Sequence, residues 1–122
     1  MASEKSYEGF ATFYNLPGRK TASGQPFDGN AMAAAMTAEK APRLGTKVAV
    51  EYACVDKSGT PSTRSIIVTV NDRGPFLRGL DGKPVTPLQP DLSKIIDLTP
   101  KAFQELVGSL AAGKVRVKVL VP

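Results

Sequence analysis

The stretch Asn71-Asp72-Arg73-Gly74-Pro75-Phe76 carries the residues best suited to chemistry in this chain. It follows the apolar run Ile66-Ile67-Val68-Thr69-Val70, which favours a buried strand, and Gly-Pro cannot continue that strand. A carboxylate and a guanidinium are therefore presented where a strand leaves the core, a common location for site residues held by a rigid scaffold. The plainer alternative is a turn whose Asp72 bonds its own backbone. Histidine is absent and Cys54 is the only cysteine, which removes Ser-His-Asp and Cys-His catalysis and the usual zinc ligands. Acid–base chemistry must then come from carboxylates, Tyr or Lys, and no metal or cofactor is implied.

The elements around this turn read as a small β protein. Tyr7 to Tyr14 is a first strand; Asn15 to Asn30 is rich in turn residues. Ala31 to Lys40, Ala- and Met-rich, predicts a short helix with Asn30 as N-cap, ended by Pro42. Strands follow at Lys47 to Val55 and Thr63 to Val70, and Ile95 to Leu98 is a further one. Thr99 and Pro100 open a second helix that Gly108 stops. Lys114-Val115-Arg116-Val117-Lys118-Val119 alternates strictly, as a final strand with one face in the core does.

At 122 residues the chain forms one domain, 1–122, with 1–8 as a flexible lead. Cys54 in its strand-like segment reads as a buried thiol. The formal net charge of +5 comes from scattered basic residues, without a nucleic-acid-binding motif. Such a surface serves either general solubility or attraction to an anionic polymer. Residues 1–8 have no signal-peptide core, and no run approaches the roughly 18 apolar residues of a membrane span.

Gly9-Phe10-Ala11-Thr12-Phe13-Tyr14, Thr21-Ala22-Ser23-Gly24-Gln25-Pro26-Phe27-Asp28, Ala33-Ala34-Ala35-Met36, Leu44-Gly45-Thr46-Lys47-Val48-Ala49-Val50, the Asn71–Phe76 turn and Ile95-Ile96-Asp97-Leu98-Thr99 occur in that order. Together they resemble the rare lipoprotein A (RlpA)-like family from about Gly9 to Val121. The resemblance implies a mainly β fold, a six-stranded double-psi β-barrel, here with two short helices. It implies a bacterial cell-envelope or periplasmic protein, a monomer acting on peptidoglycan glycan strands without nucleic-acid or membrane-spanning partners. The loop Arg78–Asp91 is longer than the simpler family pattern.

Family members include lytic transglycosylases of peptide-stripped glycan. In these, a carboxylic acid protonates the leaving oxygen, and the carboxylate takes the proton of the sugar's C6 hydroxyl as an anhydro ring closes, without water. The resemblance makes Asp72 the leading acid and Asp97 a second acidic position in the same groove, where two neighbouring carboxylates resist simultaneous ionisation. Asp97 as a helix cap is the alternative. Tyr14 either stacks on a sugar or packs in the core. Thr21, Ser23 and Asp28 either contact substrate or hold their own loop, and Arg73 orients Asp72, contacts sugar or satisfies loop carbonyls. Met36 stands where active members carry a His, and Met cannot transfer a proton. An enzyme, a non-catalytic peptidoglycan-binding or expansin-like domain, and a protein-interaction domain are the three readings. An exposed apolar patch would mark the last.

Overall fold

A computed structural model of the protein describes residues 4–81 and 83–122. Six strands, β1 (Lys5–Phe13), β2 (Ala33–Ala35), β3 (Lys47–Val55), β4 (Pro61–Asp72), β5 (Lys94–Leu98) and β6 (Lys114–Val121), close into a barrel in the order β1-β5-β2-β4-β3-β6. The β1–β5 and β2–β4 pairs are parallel and the other neighbours antiparallel. Alternation fills the barrel: Val48 and Val50, Val68 and Val70, and Val115, Val117, Val119 and Val121 all face inward.

One helix among the described residues, α1 (Pro100–Val107), packs against β1, β3, β4 and β5. Thr99 caps it by accepting the Ala102 N–H at 3.3 Å, Pro100 opens it, and Gly108 at φ 93° ends it with its N–H on the Gln104 carbonyl. Its face of Ala102, Phe103 and Leu106 is buried, and Phe103 packs on Phe13 at 5.0 Å between ring centroids.

The helix expected over 31–40 is not formed. Ala33–Ala35 is instead a short strand between β4 and β5, with all three alanines buried. Asn30, the expected cap, donates its N–H to Asp28 in a turn. Alanine's helix propensity is a preference of a few tenths of a kcal/mol per residue, and pairing on both strand edges overrides it. Lys5 to Glu8, expected to be a flexible lead, pair with Val121 to Lys118 of β6, and residues 1–3 lie outside the described residues. Cys54 is half-buried beside Ser62 on the outer stretch of β3, not in the core. The long loop after Phe76 folds back on itself through Leu77 N–H to the Gln89 carbonyl, Val85 N–H to that of Leu77, and Asp91 N–H to that of Pro75. Its Gly82 is outside the described residues. No helix among the described residues is long and apolar enough to cross a membrane.

Candidate active site

Four strands contribute one row of residues: Thr12 on β1 opposes Asp97 on β5, Asp97 opposes Ala35 on β2, and Ala35 opposes Asp72 on β4. The row lies on the side of the strands away from the core, because the next residues across, Ala11, Ile96, Leu98, Ala34 and Val70, face inward. Asp72 reaches it through a bulge. Ala34 opposes Val70 and Ala35 opposes Asp72, so Asn71 is an extra residue. In an unbroken strand Asp72 would share the core face with Val70; the bulge turns it away, a frequent device beside functional sites.

The Asp72 carboxylate accepts three hydrogen bonds and keeps one acceptor position open. Oδ1 accepts the Ala22 N–H at 2.8 Å and the Arg73 N–H at 2.9 Å, and Oδ2 accepts the Tyr14 hydroxyl at 3.0 Å. The turn beyond it needs Gly74 because its φ is 144°, a backbone conformation that side-chain-bearing residues rarely adopt. Tyr14 leaves β1 with its N–H on the Leu98 carbonyl at 3.0 Å, and its ring packs on Phe27 at 5.0 Å. Burial chiefly, then the charge of Asp72, the hydrogen bond to it and the charge of Asp97 push the Tyr14 phenol far above its ordinary range. Tyr14 is thus a neutral donor lying in the field of both acids.

Asp97 accepts a hydrogen bond from the Thr12 hydroxyl. Burial, the dominant influence, raises its pKa; Thr12, Lys94 and Arg78 oppose that, and Asp91 adds to it. The proton affinity that mutual repulsion with Asp72 was expected to supply therefore arises from desolvation. Asp97 does not cap α1, since Thr99 does.

The other expected site residues divide. Thr21 is buried; its hydroxyl bonds Ser23 Oγ at 2.7 Å and the Gln25 carbonyl at 3.0 Å, shaping the loop that Asp72 tethers through Ala22. Ser23 is exposed on that loop, its N–H on the Asn71 carbonyl at 3.0 Å. Asp28 bonds the Asn30 N–H at 2.9 Å and forms a separate turn. Of the roles open to Arg73, its contacts are those of a loop clamp: its guanidinium donates to the carbonyls of Ala41 at 2.6 Å, Pro42 at 2.9 Å and Met36 at 3.3 Å. Met36 is 0% exposed and belongs to the apolar core.

Thr12 and Phe27 were missed. Thr12 was legible in principle, because it lies two residues before Tyr14 on a strand and so shares its face. Phe27 is positioned by its N–H on the Arg19 carbonyl, a contact with no local signature.

A family model described as lytic transglycolase matches residues 6–119. The chain is 35% identical over 121 residues to the probable endolytic peptidoglycan transglycosylase RlpA of Nostoc sp., covering 94% of this chain and 26% of that protein. It is 36% identical over 123 residues to the endolytic peptidoglycan transglycosylase RlpA of Pasteurella multocida, covering 98% of this chain and 33% of that protein. The chain thus spans about a quarter to a third of the length of these curated relatives. Among solved structures, Streptomyces papain inhibitor superposes with a TM-score of 0.59 at 26% identity, covering 97% of this chain and 96% of its own. With its closed barrel and this match over nearly its whole length, the chain belongs to the lytic transglycolase family, as an RlpA-like double-psi β-barrel domain.

Proposed function

We propose that this domain cleaves peptidoglycan glycan strands without water, leaving an anhydro-sugar end, through Asp97 and Asp72. The observation that carries the reading is the shared register of both acids on Ala35, with Tyr14 donating to Asp72 in the field of Asp97. The relatives named as peptidoglycan transglycosylases support the substrate class, and with it action at the cell envelope.

The two carboxyls divide the work by environment. Burial favours the protonated form of Asp97, so Asp97 gives its proton to the glycosidic oxygen as the C1–O bond breaks. Asp72, held as an acceptor on three sides, takes the C6 hydroxyl proton as O6 bonds to C1. The proton gained at Asp72 equals the one lost at Asp97, and exchange with solvent resets the pair. Tyr14 stays a phenol throughout and holds the Asp72 oxygen in place. Neither a histidine nor a metal is required by this scheme.

Digestion of purified sacculi, intact and peptide-stripped, tests it by mass analysis of the products. Anhydro-ended fragments from wild type, absent with Asp72→Asn and with Asp97→Asn, are expected. Hydrolytic reducing ends, or no cleavage, would overturn it.

A second reading, protein binding, has its own observation: Leu80, Leu88 and Leu92, on the long loop and the stretch after it, are three largely exposed apolar side chains close together in sequence. The likeness to a papain inhibitor supports it, and a cysteine-protease inhibition assay on the same preparation separates the two readings.

A further inference from the structure

A crevice of about 410 Å³ lies across the Thr21–Gln25 loop from Asp72, lined by Ala22, Ser23, Gln25, Leu44, Gly45, Thr69 and Asn71. The loop is a wall common to both sites. Its Ala22 N–H holds the Asp72 carboxylate, and its next N–H, from Ser23, holds the carbonyl of Asn71. Asn71 is the extra residue of the bulge that aims Asp72, so one irregularity in β4 serves both places. The volume lies in the usual range for small-ligand pockets, roughly 300–1,000 Å³.

The lining defines the ligand's chemistry. No Asp, Glu, Lys or Arg contributes to it. That disfavours phosphates, carboxylates and amines, which need an opposite charge when withdrawn from water. Its polar lining residues are Gln25 and Asn71, which carry amides, and Ser23 and Thr69, which carry hydroxyls; the partly exposed Leu44 adds apolar surface. The side chains of Gln25, Thr69 and Asn71 make no hydrogen bond among the described residues, so their donors and acceptors are available. Each amide offers both a donor and an acceptor, which matches an acetamido group or a hydroxyl pair, and Leu44 offers an apolar surface to a ring face. Gly45, at φ 94°, lines it without a side chain.

We infer that this crevice is a second sugar subsite, binding an uncharged N-acetylated pyranose of the strand whose scissile bond lies at Asp72 and Asp97. The inference rests on the glycan reading above. A polymer is positioned for reaction by contacts remote from the bond that breaks, and a subsite one loop away from the acids supplies them. Asn71 and Gln25 are positioning residues for substrate, without a part in proton transfer.

The test is titration of the protein with a soluble N-acetylglucosamine hexasaccharide, following backbone amide shifts and affinity. Wild type is expected to show shifts at Ser23, Gly45 and Asn71 together with Tyr14. The double variant Asn71→Ala, Gln25→Ala keeps the backbone carbonyl that holds Ser23, and should bind roughly tenfold more weakly. Binding by wild type with shifts confined to the surroundings of Tyr14, and equal affinity in the double variant, overturns the subsite and leaves the glycan reading standing. No binding by wild type overturns both. Should the double variant fail to fold, the wild-type shift map alone decides.

Discussion

Asp72 and Asp97 flank the same residue, Ala35, from its two sides on the barrel wall. Two strand spacings separate their backbones, about 9–10 Å, with the methyl of Ala35 between them. Tyr14 donates to the first acid and lies in the field of the second.

Asp72→Asn should abolish cleavage while costing about 1 kcal/mol of stability. Asn can still accept the Ala22 and Arg73 N–H groups through its oxygen, and its amide can turn a donor toward the Tyr14 oxygen. Asp72→Ala leaves all three donors without their acceptor and should cost roughly 2–3 kcal/mol. Thermal melts and sacculus digestion on the same samples check both statements.

The burial of Asp97 predicts a pH dependence of stability. Its folded pKa is raised, so in the window between the unfolded value of 3.8 and the higher folded value the native state binds more protons than the unfolded state. Stability from this group is therefore lost as pH rises through that window. The lowered pKa values of Asp56, Asp91 and Glu105 act in the opposite direction, so the comparison must be with Asp97→Asn. Denaturant midpoints across the window should show the gap between Asp97→Asn and wild type widening in favour of the variant as pH rises. A constant gap would show that burial does not tune this carboxyl.

Tyr14→Phe keeps the packing on Phe27 and removes one donor from Asp72. Stability should fall by about 1 kcal/mol and cleavage by roughly tenfold, through turnover more than through substrate affinity. A difference absorbance titration of wild type against this variant should show no Tyr14 phenolate signal in the ordinary phenol range, because the group is pushed far above it.

Arg73→Ala should destabilise by roughly 2 kcal/mol, since three carbonyls between Met36 and Pro42 lose a charged donor. Arg73→Lys cannot span them and should recover little. Glycan affinity measured well below the melting temperature should change little in either variant. A selective loss of affinity would return Arg73 to the substrate contacts.

Met36→His, which the sequence resemblance alone would suggest as a route to added activity, should lower stability by roughly 2–4 kcal/mol. The position is completely buried among apolar side chains, where an imidazole loses packing and lacks a partner. A melt lowered in this way, without gain in anhydro products, is the expected result; a stable and more active variant would show that the side chain turns to the acids.

The sequence by itself determined most of the frame. The alternation in Lys114–Val121, the apolar run before Asp72, and the Thr99-Pro100…Gly108 signals of α1 are local patterns, and local patterns suffice where periodicity and capping set the structure. Ordered motifs named the family; the folded chain sets Asp72 and Asp97 on either side of Ala35, with Tyr14 bonded to Asp72. Tertiary structure decided the rest. Ala33–Ala35 became a strand because two neighbours pair with it, against a helix preference too small to resist. The bulge at Asn71, which turns Asp72 from the core face, depends on register against β2 and leaves no mark in composition. Arg73 became a clamp and Met36 a core residue because of what lies across from them. The proton affinity of Asp97 came from burial, a property of the folded surroundings that no residue carries in its own identity.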